Sequence, residues 1–397
     1  MTKLLEKLCL LRWNDFIHIF KFLAALIPSF CLRAKHPDLW LICDYEMEAR
    51  DNPYWLFKYI RQNHPQQEIV YAINKKSADY PQVAALGPTV QYGSLKHWIY
   101  YLAASKNISS QKGGKPNAAV CYALEVSGLL KNTRVFLQHG IIKDDLPYLY
   151  YKDTKMRLFV CSVPREYEYV KNNFGYPPGY VKMLGLCRYD NLFPVNGENY
   201  LLLMPTWRKW IAHTVLGSKE SGKGFAETHF AIAWNNLLNS PSLHTFLEQQ
   251  KMKFVFYLHR NMQKFAPYFK IDTRLGTVGT WPDFDCQQLL KGAKCLVTDY
   301  SSVAMDFAYM YKPVIYYQFD YEEFRQEHLG EGYYDYHKDG FGPVCLTEED
   351  VLRQVAITSV NNYSMADKYK QRVDDFFCFW DRQNCKRNYE AIKALNT

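Results

Sequence analysis

Two histidines and a pair of serines carry the chemistry that this sequence suggests. His139 follows the apolar run Arg134–Gln138 and precedes Gly140, and His259 follows Phe254–Leu258. Each run is short and apolar and predicts a buried strand, which puts each histidine at a strand's carboxyl end. Open α/β sheets bind ligands at those ends. An imidazole beside glycine is a candidate general base, because glycine lets a substrate approach the backbone. The plainer alternative is a structural histidine. Ser301 and Ser302 separate the apolar run Cys295–Thr298 from Val303, Asp306, Phe307, Met310 and Tyr311, which recur at helical spacing. This predicts strand, loop and helix, then a strand over Val314–Tyr317 after Pro313. Two hydroxyls at a helix N-terminus suit a phosphate, and equally an ordinary cap. Arg188 and Arg208 add positive charge, the latter within Pro205-Thr206-Trp207-Arg208 after the strand Tyr200–Met204. Two histidines, two arginines and two hydroxyls suit a diphosphate leaving group and a deprotonated hydroxyl nucleophile.

Other chemistries find no support. GxxxxGK[ST] is missing, which excludes a P-loop nucleotidase, and GxGxxG does not follow the first strand, which argues against a nicotinamide cofactor. The acidic pair Asp283 and Asp285 opens a helix instead of following a strand, so it reads as a cap, and no metal site is assigned. The 11 cysteines include no CxxC pair. That argues against zinc ribbons and disulfide scaffolds and fits a reducing compartment. A net charge of +8 favours an anionic partner.

These residues need two scaffolds to hold them. A chain of 397 residues is long for one core. Strands alternate with helices from Leu39–Cys43 onward, which predicts parallel, doubly wound sheets. Gln111–Pro116 reads as a flexible loop. The Pro-, Asn- and Gly-containing stretch Pro194–Asn199 reads as a linker, with Arg188 close to it. The expected organisation is a first domain over 37–193, a second over 194–365, and a long helix over 366–397 able to return to the first. Residues 1–36 hold an apolar stretch, Phe16–Leu32, interrupted by His18, Lys21 and Pro28 and flanked by basic residues. The uninterrupted run is short for a membrane span. It suits an amphipathic segment on an anionic membrane surface, or a helix packed on the domain's own core.

The chain resembles the CDP-glycerol glycerophosphotransferase family, the teichoic-acid primases and polymerases of the GT-B fold. The resemblance rests on EARDN at 48–52, SLKH at 94–97, QHGIIKDDLP at 138–147, LGLCRYD at 184–190, MPTWR at 204–208, YLH at 257–259 and TDYSSVAMDFA at 298–308. It implies two doubly wound domains facing across a cleft. It implies His139 as the base and His259 as the second essential histidine, near the donor diphosphate. Gly140, Arg188, Thr206, Trp207, Arg208, Thr298, Ser301, Ser302 and Asp306 fall on the donor side. Arg50, Asn52, Lys143 and Asp144 fall on the acceptor side. Cys187 stands where the family has proline, and Ile141-Ile142 where it often has Thr-Pro. The implied reaction moves glycerol phosphate or ribitol phosphate from a CDP-alditol to a lipid-linked or polymeric acceptor. No cofactor or metal is implied, and no nucleic-acid partner. The implied location is peripheral, on the cytoplasmic face of a bacterial plasma membrane. No oligomeric state is assigned. The rival functions are a GT-B glycosyltransferase using a nucleotide sugar, and a non-catalytic polymer-binding protein.

Overall fold

A computed structural model of the chain describes residues 13–130, 133–195, 198–211, 224–328 and 330–395. They form two compact units. The first is drawn from Met1–His139, Pro147–Asp190 and Phe379–Thr397, and the second from Gly140–Leu146 and Asn191–Cys378.

The first unit is built on seven parallel strands: β1 (Trp40–Cys43), β2 (Ile69–Ile73), β3 (Thr89–Gln91), β4 (Lys106–Ser109), β5 (Arg134–Phe136), β6 (Leu158–Cys161) and β7 (Val181–Met183). Their order is β3-β2-β1-β4-β5-β6-β7. Both faces of this sheet are covered, which is why its strands read as continuous apolar runs. Trp40 and Ile42 pack with Leu56, Phe57 and Ile60 of α2 (Asn52–Asn63) and with Tyr389 and Ile392 of the C-terminal helix. Leu41 and Cys43 point the other way, toward Trp98 and Tyr101 of α3 (Leu95–Ala103) and Val120 and Cys121 of α4 (Ala118–Val126). Local chemistry fixes the start of α2: Asp51 is extended, its carboxylate accepts from Asn52 N, and Pro53 stands in the first turn.

The N-terminal helix α1 (Trp13–Lys35) lies against α3. Its inner face is hydrogen-bonded to the unit: Asn117 donates to Asp15, Trp98 Nε1 to His18 Nδ1, Lys21 to the Gly93 carbonyl and Arg33 to the Leu102 carbonyl. Its outer face is apolar, with Trp13, Phe20, Ile27 and Phe30 at 81%, 73%, 78% and 71% exposure. So the packed helix expected as one alternative is present, and it also presents an apolar surface outward. The basic residues preceding Trp13 lie outside the described residues.

The second unit repeats the topology with β8 (Tyr200–Met204), β9 (Lys253–Tyr257), β10 (Gly276–Gly279), β11 (Cys295–Thr298), β12 (Val314–Tyr317) and β13 (Val344–Cys345), all parallel, in the order β10-β9-β8-β11-β12-β13. Leu201, Leu203, Phe254, Phe256 and Val297 share a core with Trp234 and Leu237 of the helix His229–Leu238. In each sheet the strand order reverses at a central pair, β1/β4 and β8/β11. The carboxyl ends there are where such sheets open a ligand crevice.

Two expectations need correction. The long C-terminal helix is two helices, Asp367–Phe376 and Asn384–Lys393. Phe376 and Phe377 pack with Phe341. The Asp190 carboxylate then accepts from Asn384 N and Cys385 N, both at 2.8 Å, and sets the new helix start. Gln111–Pro116 is anchored, because Lys115 is buried and paired with Glu125, and a Cβ at Gly114 would fall 2.4 Å from the Cys43 carbonyl oxygen. The acidic pair behaves as read: Asp285 caps Cys286–Gly292 by accepting from Gln288 N.

Candidate active site

The first unit positions His139. Gln138, one residue before it, has φ +65°, a conformation that costs a non-glycine residue about 1–3 kcal/mol. Neighbouring side chains hold it there. Asn52 Nδ2 donates to the Gln138 carbonyl at 2.7 Å, and Gln138 Nε2 donates to Glu166 at 3.1 Å. Asn52 is fully buried, and its Oδ1 accepts from Arg188 N at 2.9 Å. This one amide therefore ties EARDN, QHG and LCRYD together. His139 is exposed, and the Ser110 backbone at the end of β4 favours its protonated ring. Crowding by the protein lowers the His139 pKa below the usual histidine range. The Asp51 carboxylate opposes this and Arg188 adds to it.

Two carboxylates stand behind this loop, and neither was singled out from sequence. Ser110 Oγ lies 2.7 Å from Asp44 and 3.3 Å from Asp51. Burial, and then the Asp51 charge, push the Asp44 carboxyl well above its ordinary range. Arg188 Nη1 donates to Asp51 at 2.9 Å and to the His139 carbonyl at 3.0 Å.

The second unit assembles three strand-end loops around one buried cation. Arg208 has no exposure. Its Nε and Nη2 donate to Asp320 at 2.7 and 3.0 Å, Nη2 also to Asp299 at 2.8 Å, and Nη1 to the Thr206 carbonyl at 2.7 Å. Burial alone would depress its pKa, but the two carboxylates raise it above the ordinary value. Asp299 also accepts from Thr206 N at 2.8 Å. Trp207 stacks near His259, with centroids 6.0 Å apart, and meets His328 edge-on at 4.7 Å. His259 Nδ1 accepts from Asn261 N, so the proton of the neutral ring sits on Nε2 as a donor. His328 Nδ1 likewise accepts from Lys209 N, and burial followed by the Arg208 charge lowers its pKa to about 3. The hydroxyl of Thr206 is buried without a partner.

Ser302 opens the helix Val303–Tyr309 with its hydroxyl uncommitted to a cap, while Ser301 Oγ accepts from Val303 N at 3.4 Å. Gly140 is required beside Ser302, because a Cβ there would fall 2.6 Å from the serine oxygen.

Several of the expected ligand contacts already have partners of their own in this geometry. Arg208 is enclosed by its own carboxylates. Thr298 is buried, and its hydroxyl donates to the Met204 carbonyl at 2.6 Å. Asp306 is buried within its helix. Arg188 pairs with Asp51, and Asn52 is the buried strut described above. Arg50 pairs with Asp79 at 2.7 Å. Lys143 and Asp144 are buried in the second unit, where Asp144 pairs with Lys143 and, at 2.7 Å, with Arg325. His139, Gly140, Thr206, Trp207, His259, Ser301 and Ser302 stay at strand-end loops. His328, Asp44, Asp51, Asp299 and Asp320 were missed. The available signal was a carboxylate directly after an apolar run, as in Leu-Ile-Cys-Asp44 and Leu-Val-Thr-Asp299.

Two doubly wound units whose strand order agrees over six strands, each with chemistry at its strand ends, define a GT-B-like α/β protein. The chain belongs to the CDP-Glycerol:Poly(glycerophosphate) glycerophosphotransferase family, whose model matches residues 27–394. The minor teichoic acid biosynthesis protein GgaB of Bacillus subtilis (strain 168) is 33% identical over 370 residues, covering 90% of this chain and 40% of that protein. This chain spans less than half the length of the curated relatives it matches. The wall teichoic acid polymerase TagF shares the fold, with TM-score 0.68 at 14% identity over 96% of this chain and 98% of that one. A histidine-to-asparagine variant of TagF soaked with CDPG superposes with TM-score 0.64 at 13% identity, covering 98% and 100%.

Proposed function

We propose that the protein transfers an alditol phosphate, glycerol phosphate first among the candidates, from a CDP-alditol to a hydroxyl of a lipid-linked or polymeric teichoic-acid acceptor. The acceptor oxygen attacks the β-phosphorus, the bond from that phosphorus to the CMP oxygen breaks, and His139 takes the acceptor proton. The observation that carries this reading is the exposed His139, whose backbone is held by Asn52 at the Gln138 carbonyl and by Arg188 at its own carbonyl. On the donor side, His259 Nε2–H and the hydroxyls of Thr206 and Ser302 are neutral hydrogen-bond donors suited to phosphate oxygens. Arg188 and Arg208 act indirectly, by shaping the loops. The strand-end carboxylates Asp299 and Asp320 are both engaged by Arg208, and no step is routed through a metal. Release of CMP from CDP-glycerol, CDP-ribitol and, as a contrast, UDP from UDP-sugars tests the reading. Turnover of a UDP-sugar alone would replace it with glycosyl transfer.

The same reading places the protein on the cytoplasmic face of a bacterial plasma membrane. Support comes from the outer face of α1, where each large exposed side chain is worth about 1–3 kcal/mol when removed from water. A hollow of about 690 Å³ flanks it, rimmed by Lys35 and Lys96. Lys21 and Arg33 donate to carbonyls of their own unit, which orients the helix with its apolar face outward.

A further inference from the structure

We infer that Asp51 is the positioning residue of His139, fixing its register and supplying the counter-charge for the imidazolium formed on proton transfer. The inference rests on His139 being the base. Asp51 is the N-cap of α2, and its Oδ1 accepts from Asn52 N at 2.8 Å and from Arg188 Nη1 at 2.9 Å. Arg188 Nη1 also holds the His139 backbone carbonyl. The other Asp51 oxygen lies 3.3 Å from Ser110 Oγ, and the Ser110 backbone favours the protonated His139 ring. One carboxylate thus contacts the arginine that holds the His139 backbone and the serine whose backbone acts on its ring.

The charges around His139 in this unit divide clearly. Asp51 favours the protonated ring and Arg188 disfavours it. Asp44 sits behind Ser110 and is pushed toward its neutral form, so it adds little charge. Glu166 lies beyond Gln138, accepting from that side chain and from Ser162 N. Asp51 is therefore the carboxylate whose charge the ring feels most directly. A neutral Asn at this position keeps the helix cap and can still accept from Arg188.

The test uses the full chain, with Asp51→Asn and a second cap-preserving variant, Asp51→Ser. The His139 ring is titrated by NMR in histidine-labelled protein, its signal assigned by its loss in His139→Asn. In both variants the titration midpoint should fall by about one pH unit, because Arg188 remains while its partner charge is gone. The acid limb of kcat/KM should move the same way, and kcat should drop about 10- to 100-fold with KM for CDP-glycerol within a few-fold. An unchanged midpoint overturns the inference. If the midpoint shifts but His139→Asn still transfers normally, the coupling stands and the role of His139 as base falls instead.

Discussion

Replacing Asn52 with alanine separates a strut from a ligand. The native amide makes two fully buried bonds, to the Gln138 carbonyl and from Arg188 N. Alanine leaves a carbonyl and an N–H without partners where water does not reach. Each such orphan costs about 1–3 kcal/mol, so the unit should lose roughly 2–5 kcal/mol. For a unit of this size that corresponds to a melting shift of about 5–15 °C. Gln138 also loses the contact that holds its left-handed backbone, and His139 follows it directly in the chain. Because misplacement of a reacting group is expensive, kcat should fall at least about tenfold while acceptor KM changes little. Asn52→Asp keeps the acceptor for Arg188 N but sets a second oxygen, and a buried charge, against the Gln138 carbonyl, so it should lose at least as much stability as alanine. Differential scanning calorimetry and steady-state transfer kinetics read both quantities. A variant with native melting and a raised acceptor KM would refute the strut and restore Asn52 as a substrate contact.

Five other outcomes follow from the same geometry. His139→Ala should lose transfer by about two to four orders of magnitude with donor affinity within a few-fold by calorimetry. Because crowding by the protein lowers the His139 pKa, the neutral base persists to more acidic pH, so kcat/KM should hold through pH 6.5 and decline only below it; a decline centred above 6.5 would contradict this. Arg208→Met strands Asp299 and Asp320 without their cation, so the second unit should be destabilised by about 3–5 kcal/mol in urea unfolding, whereas a phosphate ligand would alter donor KM alone. Phe20→Glu with Ile27→Glu should abolish flotation with lipid vesicles at unchanged melting temperature, while deletion of Trp13–Lys35 should uncover Trp98 and unfold the unit; undiminished flotation would remove α1 from the membrane reading. Transfer should persist in excess EDTA, and complete, Mg²⁺-reversible loss would mean that a metal supplies the charge.

The sequence by itself determined what local rules can reach. Two-face burial wrote the central strands as apolar runs, so their existence, the parallel class and the strand-end places of His139, His259 and the Ser301–Ser302 loop were all legible. The short edge strands β3 and β10 were not, since Thr89–Gln91 and Gly276–Gly279 each offer a single apolar side chain, Val90 and Val278. Polar residues were read by type. Arg208, Arg188, Asn52 and Lys143 have the chemistry of ligand-binding groups, and the sequence carries no sign that each is already engaged. That engagement depends on partners distant in the chain, such as Asp320 for Arg208 and Gln138 for Asn52. The helical pattern after Ala366 likewise gave no warning of its break, because the cap at Asn384 comes from Asp190. Only the tertiary structure decided which polar groups are struts and which remain open, because a buried charge or amide is held by whatever folds against it.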